Sequence, residues 1–153
     1  MEGLVELPER FPTDAARQSL AARLGLRIDP WSQDWEYEVA SLGNFDKWHA
    51  FYNNECLTDD EKFSLMMMIV QCVEDIAGIN GESSDTERMP EWQMVKGLLL
   101  SNPGLHATTI WYWSLFGCDG ADETFCISRP MRDVWMKVQS QLVGHSGSYP
   151  ADD

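Results

Sequence analysis

Residues 58–77, TDDEKFSLMMMIVQCVEDIA, restrict the possible fold more than any other stretch of the chain. At about 100° per residue, Phe63, Met66, Met67, Ile69, Val70, Val73 and Ile76 spread over most of a helical wheel. Asp60, Ser64, Gln71 and Asp75 leave only a narrow polar strip. A helix that is apolar nearly all round has to be surrounded by others. Thr58 and Glu61 have the spacing of a capping box, and Asp59, Asp60 and Glu61 lie at the positive end of the helix dipole. The segment therefore predicts a buried central helix over 59–77. Its run of three methionines reads as core filler before it reads as a metal or binding groove.

The remaining punctuation predicts further helices. Thr13 and Asp14 open one that Gly25 stops. Asp29 and Pro30 open another over 30–42, and Asn44 precedes FDKWHAFYNN. Pro90 starts a helix ending near Asn102, TTIWYWSLFG belongs to the next, and Pro130 opens a last one carrying Met131, Val134, Trp135, Val138 and Leu142 on one stripe. The fold class expected is all-α, a single compact bundle of about six or seven helices around 59–77, with room for one short strand near 124–128. One helical domain is expected over 1–143 and a flexible tail over 144–153. A loop is expected at 78–88. A length of 153 residues suits one domain, and 44% apolar residues argue against disorder.

The opening residues lack the basic and apolar regions of a secretory signal, and no apolar run approaches the roughly 20 residues of a membrane helix. Cys56, Cys72, Cys118 and Cys126 show no C-x-x-C spacing, so reduced thiols in the cytoplasm are expected.

Charge narrows the choice of partner. The net charge is −14, and residues 28–91 carry fifteen acids against three bases. Such a field repels nucleic acid and anionic membranes and attracts basic proteins. Plain solubility is the simpler explanation of the same charge.

DPWSQDWEYEVASLG, residues 29–43, combines this acidity with two tryptophans. On a helix Trp31, Trp35, Val39 and Leu42 align, Asp34 and Glu38 flank them, and Glu36 points to solvent. One reading is structural, with Arg17, Arg23 or Arg27 bridging to these carboxylates around a tryptophan core. The other is a partner-binding face made of Trp31, Asp34, Trp35, Glu36, Glu38, Asp59 and Asp60, with aromatic anchors inside an acidic rim.

Catalytic motifs are missing: there is no G-x-S-x-G, H-E-x-x-H, phosphate-binding glycine loop or E-x-x-H pair. Asp46 and His49 are too few for a metal, DGADE lacks the order of a calcium loop, and His106 and His145 read as surface residues. No cofactor or metal is expected. Trp113 lies across its helix from Trp111, and an exposed Trp113 would mark a partner site.

The function expected is an acidic protein-binding inhibitor of the immunity-protein or antitoxin type, neutralising a basic toxin by covering its active site. Two alternatives stand beside it. One is a small helical enzyme or ligand-binding domain around Glu74 and His49, with Asp75 and Gln71. The other is a scaffold or adaptor subunit that forms a homodimer through its aromatic helices.

Overall fold

The computed structural model describes residues 10–29, 31–80, 83–114 and 126–147. Seven helices follow one another among them: α1 (Asp14–Leu24), α2 (Trp35–Glu38), α3 (Phe45–Asn54), α4 (Asp59–Asn80), α5 (Pro90–Ser101), α6 (Pro103–Ser114) and α7 (Ser128–Gly147). Short 3-10 turns occupy Leu42–Asn44 and Ser83–Arg88. The fold is all-α, with no strand among the described residues, and no helix there is long and apolar enough to cross a membrane.

Local chemistry sets the helix ends. Thr13 Oγ1 accepts the Ala16 N–H at 3.1 Å. At the other end of α1, Gly25 takes the left-handed conformation at φ 71°, and the Leu26 N–H donates back to the Ala21 carbonyl at 2.8 Å. The capping box at α4 is reciprocal: the Glu61 N–H donates to Thr58 Oγ1 at 3.1 Å, and the Thr58 N–H donates to Glu61 Oε1 at 2.8 Å. Proline stands first in both α5 and α6, where a missing N–H costs nothing.

Helix α4 packs against α1, α2, α3, α5, α6 and both 3-10 turns. Leu65, Met66, Met68, Ile69, Val70, Cys72 and Val73 are all fully buried along it. Ser64, placed by the wheel on the polar strip, is buried too, because its hydroxyl donates to Glu36 Oε2 at 3.0 Å. Trp35, Trp48, Trp92 and Trp113 close the core from the surrounding helices.

Helices α6 and α7 run antiparallel, and α7 satisfies the end of α6. Ser128 Oγ donates to the Trp113 carbonyl at 2.8 Å, and Arg132 Nε donates to the Ser114 carbonyl at 2.6 Å. The α7 stripe of Met131, Val134, Trp135 and Val138 is buried as its spacing predicts.

Several boundaries differ from the sequence reading. The strand expected near 124–128 does not form where the chain is described: Cys126 and Ile127 make a turn and Ser128 begins α7. Their N–H groups go to a carboxylate on α4 and not to a neighbouring strand. Residues 124 and 125 lie outside the described residues, as does the part of the expected tail beyond Gly147; residues 144–147 continue α7. In the expected loop at 78–88, α4 continues to Asn80 and 83–88 form a 3-10 turn.

Candidate partner-binding face

The helix expected over 30–42 shrinks to the single turn of α2, and Arg17 supplies the reason. From α1 its guanidinium donates to the Ser32 carbonyl at 3.0 Å and to the Gln33 carbonyl at 3.0 Å. Those are the acceptors that a helix through 32–37 would need for its i to i+4 bonds. Arg17 also grips Glu36 with both prongs, Nε to Oε2 and Nη2 to Oε1, each at 2.8 Å. The Glu36 bond is the main reason the guanidinium pKa rises above its ordinary value, so its charge is permanent.

This clamp separates the two tryptophans of the motif. Trp35 is 1% exposed, and its indole N–H donates to the Arg27 carbonyl at 2.7 Å. Trp31 is 89% exposed. Glu36, expected to face solvent, is fully buried between Arg17 and Ser64. Trp35 and Glu36 are thus interior residues of this fold and do not line a surface for a partner. The expected Arg–carboxylate bridge exists, with Glu36 in the place assigned to Asp34 or Glu38.

Around Trp31 the surface is acidic. Asp29, expected as a helix cap, accepts the Trp31 N–H on Oδ1 at 3.0 Å and so caps a turn. Ser32 Oγ donates to Glu38 Oε1 at 2.8 Å. These two bonds place one carboxylate against the backbone of Trp31 and another against the side-chain hydroxyl of its neighbour Ser32. Asp34 is exposed at the start of α2, with no side-chain bond to the helix it precedes. Between Arg27 and Lys47 the sequence has five acids and no base.

Tyr112 is an exposed aromatic ring packed on α2, and the sequence did not single it out. It is 49% exposed and stacks on Tyr37 of α2 with centroids 5.9 Å apart. Tyr37 in turn meets the edge of Trp113 at 5.7 Å, and burial pushes the Tyr37 phenol well above its ordinary range. Trp113 itself is buried, while Trp111 is 44% exposed and 5.0 Å from the ring of Trp135. A position within α6 cannot predict this, because both sides of that helix meet aromatic neighbours.

Asp59 and Asp60 are exposed but stand apart from the Trp31 loop in their contacts. Asp60 Oδ1 pairs with Arg10 Nη1 at 2.9 Å, and the same guanidinium lies over the Phe63 ring at 5.9 Å. Glu61 is held by Ser19 and by Arg23, the latter at 3.6 Å. Its pKa falls because these bonds and the Thr58 bonds together outweigh burial, which is the largest single influence. The bases of the α1 region thus neutralise Glu36, Asp60 and Glu61, while Asp29, Asp34 and Glu38 remain open to solvent.

Glu74 and His49 are not brought together. Glu74 accepts the Cys126 N–H at 3.0 Å and the Ile127 N–H at 3.1 Å, so it holds the chain entering α7. Burial raises its pKa against these bonds. His49 stacks on Phe45 at 5.8 Å within α3. Asp75, paired with it in the enzyme alternative, accepts from Gln71 Nε2 at 2.9 Å.

His106 is the clearest departure from its sequence reading. It is fully buried, with Nε2 2.7 Å from the Tyr52 hydroxyl. Burial drives its pKa down to about 3, helped by Arg10 and Lys62, so the ring is neutral. Leu105, Ala107, Thr109 and Ile110 beside it are buried as well: α6 sits inside the bundle at this point.

Among the described residues no group of three or more His, Cys, Asp or Glu side chains could hold a metal ion. Compared with known proteins, the chain matches no family model, no curated protein and no solved structure.

Proposed function

We propose that this chain is an acidic protein-binding inhibitor, of the immunity or antitoxin kind, that covers the working surface of a basic protein. One observation carries the reading: Trp31 stands 89% exposed on a loop that Arg17 ties to the body of the fold. A rigid, exposed tryptophan is the usual form of an interface anchor, since docking it buries much area with little ordering cost. Asp29, Asp34 and Glu38 around it add a field that speeds encounter with a cation and rejects anionic competitors. The free thiols of Cys56, Cys72 and Cys126 suit a reducing compartment, which supports the cytoplasm as the place of action.

The test is affinity capture from the native host with salt-gradient elution, comparing the wild type with Asp34→Lys/Glu38→Lys. The reading expects a basic protein retained by the wild type and released early, or not retained, by the variant. Equal retention by both would remove the acidic face from the account.

A further inference from the structure

We infer that the occupant of the Trp31 face is an arginine side chain of the partner, its guanidinium stacked on the indole and its edge paired with the neighbouring carboxylates. This rests on the partner-binding reading above and specifies its chemistry. Three observations support it.

The indole is unused. Trp31 makes no ring contact and carries no cation among the described residues, although this chain employs that contact elsewhere. Arg23 lies 4.9 Å over the Phe51 ring, and Arg10 covers Phe63. Tryptophan is the best of the aromatic faces for a cation.

The carboxylates are placed for a planar, forked donor. Asp29 and Glu38 are anchored through one oxygen each, to the Trp31 N–H and to Ser32 Oγ. Each keeps its second oxygen for an incoming N–H. A guanidinium offers donors along its edge while its face rests on a ring, whereas an ammonium is a compact point charge that does neither as well.

The frame is formed in advance. Arg17 holds the Ser32 and Gln33 carbonyls while its own charge is matched by Glu36, so the loop neither collapses onto the bundle nor supplies its own cation from Arg17. Ile28, 40% exposed on the same loop, offers apolar contact to the methylene stem of an arginine.

The experiment uses the full chain and two synthetic nine-residue peptides of equal charge, one alternating arginine with glycine, the other lysine with glycine. Binding is followed by the indole N–H resonance of Trp31, identified from the spectrum of Trp31→Leu. The arginine peptide is expected to bind about three-fold more tightly, to move the Trp31 resonance most among the seven tryptophans, and to keep that preference in Trp31→Phe. In Trp31→Leu both peptides should bind more weakly, and the arginine preference should shrink to what the carboxylates alone supply. Equal affinity in the wild type, or an unmoved Trp31, overturns the assignment. If a basic protein is nevertheless captured and lost on charge reversal, the partner reading stands while the arginine assignment falls. An arginine preference without any captured protein keeps the assignment and removes the partner reading.

Discussion

Arg17 and Glu36 form a forked ion pair at 2.8 Å on each prong, with the carboxylate fully buried. A charge in that position is tolerated only with its partner. Glu36→Ala is therefore expected to cost about 3–5 kcal/mol, measured by urea unfolding. The double change Arg17→Met/Glu36→Leu should recover most of that loss while speeding amide exchange at 32–34, because the carbonyl clamp is gone. A double variant with unaltered exchange there would contradict the clamp.

The two tryptophans of the motif should behave oppositely. Trp35→Ala empties a fully buried site and is expected to cost about 3–5 kcal/mol. Trp31→Ala removes an 89% exposed side chain and should change stability by less than about 0.5 kcal/mol. Melting curves of the two variants decide this.

Stability should fall on mild acidification. The His106 pKa drops from 6.5 to about 3 in the folded chain because burial disfavours the cation, so the unfolded chain binds the proton more readily. Stability from this group is full above pH 6.5 and is lost as the pH falls toward about 3, at up to about 1.4 kcal/mol per unit. His106→Phe should flatten the urea midpoint between pH 6.5 and 5, a window above most carboxylate titration. An unchanged slope would show that the ring is not held neutral.

Glu74 acts on α7 through two backbone N–H groups. Glu74→Ala should destabilise the chain by about 1–3 kcal/mol and raise amide exchange at Cys126 and Ile127, the turn that leads into α7, more than in the body of α7. Glu74→Gln, which retains one acceptor oxygen, should lose less.

Much of the fold was legible because it depends on neighbours in sequence. The Thr58–Glu61 box, the Gly25 stop, the proline opening α5 and the α7 stripe all act within a turn or two. The acidic face was legible as charge but not as geometry. Helical periodicity put Trp31 and Trp35 on one stripe and turned Glu36 outward. Arg17, nineteen residues before Glu36 in the chain, took the backbone acceptors and reversed both assignments. The burial of His106 and the partner of Glu74 escaped the sequence for the same reason: Tyr52 and the start of α7 lie more than fifty residues away from them. Tyr112 meets α2 only through the tertiary fold, by stacking on Tyr37.

The most direct measurement replaces Trp31 with a photo-crosslinking amino acid and, separately, Met136, which is 57% exposed on α7. After irradiation in the native host, position 31 should yield an adduct with one basic protein that position 136 does not. No adduct at position 31, or the same adducts at both positions, would contradict a partner-binding face centred on Trp31.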